Sequence, residues 1–313
     1  MNLLLLLLAP VTALYWPQTV ESAPALRQAG IERLCVPPDL VEVWRKAGFS
    51  AVPMSAAELA SREQLPTPGI TGRVELASAT RSPWIFANGW RFIRKPTGKY
   101  AYDLPKGTAA LAAAEAFAYG ADAVLKIDPA DLEPLGRMWA FLATLPAVDL
   151  PAISDIAVVD DGSQLLGEVM NLLARRNLLF RPVDAPSPEF RINVRLGTKE
   201  YPEEEAADPS AFALKIRRQL GDEHRVLRVY GSEVVVCRLT GDRSRVRLHL
   251  VNYGGREIEG VSIRLRGSHP EGEARVVGLG TVPPQELVVS EGATEFSIPR
   301  MGTYAVIDLP AVK

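Results

Sequence analysis

The chain has 313 residues with 35 basic and 37 acidic side chains, a net charge of −2; that is length enough for two or three units with separate cores, and it leaves no basic surplus for nucleic acid. Two cysteines, Cys35 and Cys237, each inside an apolar run, exclude a disulfide scaffold, and neither has a second Cys or a His at metal-ligand spacing. His224, His249 and His269 are the only histidines, and there is no G-x-S-x-G elbow, P-loop or G-x-G-x-x-G after a strand; Ser/His or Cys/His hydrolysis is disfavoured and no cofactor or metal is called for.

The chain opens MNLLLLLLAPVTALYW. The Leu run, followed by Val11-Thr12-Ala13, predicts a short signal peptide over residues 1 to 13 and a secreted or periplasmic protein. It lacks a basic leading segment, so the rival reading makes it part of the fold. The run is too short to span a membrane as a helix.

Next come LYWPQTV, ESAPALRQAG and IERLCVPP, then PDLVEVWRKAG with FSAVPMS, and later TAALAAAEAFAYG with ADAVLKID. Each helix-period stretch ends at Gly30, Gly48 or Gly120 and hands over at once to an apolar run, as expected when a glycine closes a helix before a buried strand. Strands alternating with helices imply parallel pairing through right-handed crossovers, and in such folds ligands bind at the loops following the strands. Glu75, in GRVELAS, and Asp103, Asp128 and Asp131 are the carboxylates near those ends. As the first unit holds no histidine, they are its available acids and bases. Two of them across a cleft would suit glycoside hydrolysis, although Asp128-Pro129 and Asp131 equally resemble a helix cap.

Between these repeats lies a stretch of different character, SPWIFANGWRFIRKPTGKYAYDLP, from Ser82 to Pro105. Asn88-Gly89 between apolar runs predicts a two-residue hairpin that pairs 84–87 with 90–93. One face of the ribbon is apolar and packs on the body. The other would offer Trp84 and Phe86 as platforms beside Arg91, which suits a sugar with its apolar face and many hydroxyls. Trp84, Asn88, Trp90 and Arg91 are therefore the candidate substrate-binding residues, with burial in a core as the alternative for each ring.

A Pro-punctuated crossing, LPAVDLPAISD, marks a boundary near residue 151. Then IAVVDDGSQLLGEVMNLLARRNLLFRPVD, FRINVRL and PSAFALKIRRQLG predict a small doubly wound unit over 151–222, with Asn177 closing its first helix. Asp160-Asp161 resembles the paired acids of a response-regulator receiver, but no Asp ends the later strand, so helix capping is the better reading. Over 223–313 the pattern alternates at period two in short runs, from EVVVCRLTGDRSRVRLHLVNY to TYAVIDL, which predicts an antiparallel β-sandwich.

The fold class expected is thus α/β plus all-β: a partial TIM-like (β/α) barrel over 14–150, a small flavodoxin-like domain, and a C-terminal sandwich. With RVRLHLVNYGG and MGTYAVIDL in the tail, this order of parts resembles the multidomain glycoside hydrolases of the β-galactosidase-like type. That resemblance implies a carbohydrate partner. It transfers no catalytic residue, because no Asn is followed by Glu anywhere in the chain and a full barrel takes about 250 residues. Two functions follow: a glycosidase using two of Glu75, Asp103, Asp128 and Asp131, or a non-catalytic carbohydrate-binding or assembly protein. In the second, the two later domains serve homo-oligomer contacts. Neither a nucleic-acid partner nor a membrane span is expected.

Overall fold

The structure, a computed structural model, describes residues 12–71 and 84–310. The chain divides into two compact units. The first takes in residues up to Thr67 together with Lys95–Pro146, and the second takes in Pro68–Arg94 and everything from Ala147 onward.

The first unit begins β1 (Ala13–Tyr15), α1 (Ala23–Gln28), β2 (Arg33–Val36), α2 (Val41–Lys46), β3 (Ser50–Pro53), α3 (Ala56–Ser61) and β4 (Glu63–Leu65). The chain then enters the second unit for β5 (Gly69–Thr71), β6 (Trp84–Phe86) and α4 (Gly89–Arg94). It returns for β7 (Lys99–Leu104), α5 (Ala109–Tyr119), β8 (Asp122–Ile127) and α6 (Leu132–Thr144). The six strands of the first unit form one parallel sheet in the order β3-β2-β1-β8-β7-β4. Read from β4, every step of the chain moves to the next strand in one direction, and the last strand, β8, pairs with the first, β1. A doubly wound sheet reverses direction halfway; this one keeps the cyclic order of a (β/α) barrel and is open only between β3 and β4. Right-handed crossovers in a single direction put the helices on one face, with the exception of α3 at the open β3–β4 step, whose Leu59 packs with Tyr15 and Cys35.

The handovers that the glycines predict are present and alike. Ile31, Phe49 and Ala121 each donate a backbone N–H to the carbonyl five residues back (Leu26, Trp44, Ala116, at 2.9, 3.1 and 2.9 Å), while Gly30, Gly48 and Gly120 donate three residues back. This is the double bond of the Schellman motif. The helix-closing glycine has positive φ in each case, 70°, 89° and 64°. Asn177, at φ 53°, closes its helix in the same way, with Leu178 bonded to Leu173 at 3.0 Å. The predicted leader boundary falls on the first residue of β1: Ala13 pairs with Val124, and the buried Thr12 accepts from Trp139 Nε1 at 2.9 Å.

The second unit continues β9 (Ile156–Val159), α7 (Gln164–Arg175), β10 (Phe180–Val183), β11 (Ile192–Val194), α8 (Glu203–Ala206) and α9 (Pro209–Leu220). Its parallel sheet has the order β10-β9-β11, so the chain winds out to both sides of β9. Ser163 caps α7 through the N–H of Leu166 at 3.1 Å, and Asp208 caps α9 through Ser210 and Ala211 at 3.0 Å. Then follow β12 (Leu227–Tyr230), β13 (Val235–Gly241), β14 (Arg245–Asn252), β15 (Ile258–Arg266), β16 (Glu273–Val276), β17 (Gly280–Val282), β18 (Gln285–Ser290), β19 (Ala293–Met301) and β20 (Tyr304–Pro310). They form two antiparallel sheets, β12-β15-β19-β18 and β13-β14-β20-β16-β17, around a shared apolar core that includes Leu248, Leu250, Ile263, Phe296 and Ile307. Asn177 joins the two parts of this unit: its amide donates to Val235 O at 2.9 Å and accepts from Cys237 N at 2.8 Å, satisfying the start of the outer edge of β13, whose later residues pair with Pro151–Ile153.

The predicted hairpin at Asn88-Gly89 does not form. Gly89–Arg94 is helical, with Arg91 N bonded to the carbonyl of Asn88 at 2.8 Å, and β6 pairs with β5 instead. Local turn preference loses to packing: Trp90 enters the core of the small parallel sheet with Leu166, Val169 and Met170 on α7. Gly167 of α7 leaves the room, since a Cβ there would come within 2.9 Å of Arg94 Nη1 and 3.1 Å of the Trp90 ring.

Candidate functional site

Alternation along the parallel sheet of the first unit sorts its side chains between two faces. Tyr100, Tyr102 and Leu104 of β7 lie on one, and Tyr102 Oη donates to Glu115 Oε2 of α5 at 2.6 Å, so that face is the one the helices cover. The opposite face is the barrel interior. At the C-terminal ends of its strands the register aligns Val52, Cys35 and Tyr15, then Lys126 and Asp103. Tyr15 and Lys126 each follow the paired Leu14 and Leu125 by one residue. Tyr15 and Cys35 pack with Met54 and Val124, and Leu59 of α3 covers them. Burial raises the Cys35 thiol above its ordinary range, which keeps it protonated.

Among the described residues, Asp103 is the one named carboxylate that stands free of a cap. Its side chain is 71% exposed and its Oδ2 accepts from Lys126 Nζ at 2.7 Å. An exposed pair of this kind contributes about 0 to 1 kcal/mol to stability, so neither side chain is held there by the needs of the fold. It leaves a carboxylate and an ammonium side by side at the mouth of the interior, where a polar ligand can take both.

Asp128 and Asp131 are engaged differently. Asp128 accepts from Ala130 N at 2.8 Å and caps the short turn before α6. Asp131, 2% exposed, accepts from Gly107 N at 2.8 Å and from Thr108 and Ala109 N at 3.1 Å, which closes the first turn of α5 across from another loop. A carboxylate on three N–H groups at a helix start is an N-terminal cap built from a distant residue. Glu75 lies outside the described residues.

The aromatic candidates sit in the second unit. Trp90 is 7% exposed within its core, and the Arg91 guanidinium lies 4.2 Å from its ring centre. Trp84 is half-buried, with Arg175 of α7 3.8 Å above its ring. Asn88 is 1% exposed at the start of α4. Arg94 fixes the segment by a two-pronged bond to Asp160, at 2.9 and 2.6 Å. Asp160 and Asp161 also accept from Gly162 N and Ser163 N in the loop before α7, so the helix cap expected of them is supplied by Ser163 instead.

The sequence reading passed over Glu115, Lys126 and the ion pair of Arg62 with Asp122 at 2.8 Å. Glu115 had a visible signal: a single acid in an otherwise apolar, alanine-rich helix must find a buried partner.

The first unit thus has the fold of a partial (β/α) barrel, and the second a small doubly wound sheet joined to a sandwich. No family model matches the sequence, and no curated protein matches it. Among solved structures, the chain is similar to α-L-fucosidase isoenzyme 2 from Paenibacillus thiaminolyticus, with 11% identity, a TM-score of 0.55, and coverage of 88% of this chain and 70% of that one. It also aligns with a β-galactosidase from Bacillus circulans sp. alkalophilus (10% identity, 95% of this chain and 60% of that one, TM-score 0.40). A GH42 β-galactosidase from G. stearothermophilus gives 7% identity, 80% and 63% coverage, and a TM-score of 0.38. The chain therefore spans less than two thirds of either galactosidase. Only the first alignment carries weight, and what it shows is a common fold.

Proposed function

We propose that the protein is a carbohydrate-binding or assembly protein on a glycoside-hydrolase-type scaffold, of the β-galactosidase-like multidomain arrangement, that works without a pair of catalytic carboxylates. The observation that carries this reading is the commitment of Asp128 and Asp131 to backbone N–H groups, which, among the described residues, leaves Asp103 beside Lys126 as the named carboxylate open to a ligand. Hydrolysis of a glycosidic bond needs two carboxyl groups, roughly 5 to 9.5 Å apart. Asp103 and Lys126 together offer an acceptor and a donor that match a diol of a sugar ring. A secreted or periplasmic location is part of the proposal, motivated by the apolar run Leu3–Leu8.

A second reading is kept because Asp103 is so exposed: a glycosidase in which Asp103 works with Glu75. Replacing both by amides separates the two. Sugar binding by the wild type that survives in Glu75→Gln/Asp103→Asn, with no turnover in either, supports the binding protein. Turnover by the wild type that disappears in the double variant establishes the glycosidase.

A further inference from the structure

We propose that the protein forms a twofold dimer in which β18 of one copy pairs antiparallel with β18 of another, joining a sheet of each sandwich into one continuous sheet. The contact does not depend on what the first unit binds.

β18 is the last strand of the sheet β12-β15-β19-β18, and among the described residues β19 is the one strand it pairs with. The outer edge of such a strand presents a row of backbone N–H and C=O groups that a further extended chain can pair. Other edges of the sandwich are covered or blunted. Asn177 and residues 151–153 cover β13, β17 is three residues long, and β12 carries Arg228 against the ring of Tyr230. β18 holds no Lys, Arg or Pro, and its Val288 and Val289 are 55% and 38% exposed. A bulge at Glu286, φ 52°, interrupts the start of the strand, and regular pairing with β19 runs from Val288 to Ser290.

The hairpin geometry defines the partner. Glu291 and Gly292, with φ of 48° and 72°, make the two-residue turn into β19, so the closing pair Ser290–Ala293 is a hydrogen-bonded one. Ladder bonds alternate along an antiparallel pair. Ser290 and Val288 therefore direct their backbone groups to β19, while Val289 and Leu287 direct theirs outward. A second β18 laid antiparallel with Val288 on the twofold axis sets Leu287 of each copy opposite Val289 of the other, and outward groups meet outward groups. Val288 then faces its own counterpart at about 4.5 Å between Cα atoms, so the exposed valines are the side chains that become covered. Glu286 falls opposite Ser290 and Gln285 opposite Glu291, so no carboxylate meets another. The strand is thus complementary to itself, and an isologous contact closes at two copies. Pairing of β18 with β12 of another copy would leave an edge at each end and build filaments instead. One short strand pair is a small interface, which places the dimer among the weak, concentration-dependent ones.

Sedimentation velocity of the full chain, over about a hundredfold range of concentration reaching roughly 100 µM, tests this. The variants are Val288→Lys, Val289→Pro and, as an exposed valine of the other unit, Val43→Lys. Expected is a monomer–dimer equilibrium in the wild type and in Val43→Lys. It should weaken about tenfold or more in Val288→Lys, which sets two ammonium groups on the axis, and in Val289→Pro, which removes an outward N–H from each copy. Val288→Cys should form a covalent dimer under oxidised glutathione and Val43→Cys should not, as Cys35 and Cys237 are buried and the spacing across the axis suits a disulfide. Matched melting temperatures check that each variant folds, and the cross-link supports the pairing even where Val289→Pro does not fold. A wild type that stays monomeric across the range, growth beyond dimers, a dimer undiminished in Val288→Lys, or an equal loss in Val43→Lys overturns it.

Discussion

Replacing Asp131 by Ala should unfold the first unit at markedly lower denaturant without changing what the interior binds. The carboxylate holds three backbone N–H groups, those of Gly107, Thr108 and Ala109. Hydrogen bonds to a charged acceptor are worth about 1.5 to 3 kcal/mol each, and loss of a cap alone costs about 0.5 to 2. Gly107 and Thr108 are accessible and recover water, whereas Ala109 is completely buried. The net loss should therefore be about 3 kcal/mol, a large part of a stability of about 5 to 15. Asp131→Asn keeps an acceptor but loses the charge, and should cost about half as much. Urea unfolding followed by circular dichroism reads both, with ligand binding measured at zero denaturant. An Asp131→Ala protein that unfolds with the wild type, or that keeps its stability and loses a turnover the wild type possesses, refutes the assignment of this carboxylate to the fold.

Three further perturbations are as specific. A Cβ at Gly136 of α6 would land on the carbonyl oxygen of Ala29 at the end of α1, and backbone cannot move aside as a side chain can; Gly136→Ala should cost about 2 kcal/mol or more, visible as a fall in melting temperature. Asn177→Ala removes both side-chain bonds to the β13 edge and leaves Val235 O and Cys237 N buried and unpaired; a loss of about 2 to 4 kcal/mol is expected, and proteolysis should cut between the small sheet and the sandwich. His249, buried against Tyr304 Oη at 2.6 Å, has its pKa pushed down to about 3, chiefly by burial and then by Arg238 and Arg247. The unfolded chain takes up this proton near pH 6.5 and the folded one does not. His249 therefore contributes stability above pH 6.5 that is lost as pH falls toward 3, at about 1.4 kcal/mol per unit. His249→Gln should flatten the pH dependence of urea midpoints between pH 6.5 and 4.

What was legible in the sequence was local. Gly30, Gly48 and Gly120 announced both the helix ends and the strands after them, because a left-handed residue at the end of a helix redirects the chain within two positions. Period-two runs announced the sandwich for the same reason. The segment from Trp84 to Arg94 was misread because its conformation is decided by residues far along the chain: Gly167 makes the space, Trp90 fills it and Asp160 holds Arg94. Read alone, Asn88-Gly89 favours a turn. Asp131 could be recognised as a cap in kind but not in target, since the helix it caps begins at Ala109, more than twenty residues earlier. The cyclic order of strands, on which the barrel assignment rests, depends on the β1–β8 pairing, which no local pattern encodes.

The most direct test of the account is a screen of the wild-type protein against aryl glycosides and plant and bacterial polysaccharides, with turnover and binding read in the same wells. Saturable binding to a polysaccharide without release of product, weakened by Asp103→Ala and by Lys126→Ala, is the predicted result. Product release at a steady rate, above that of a heat-treated control and dependent on Asp103, would contradict it.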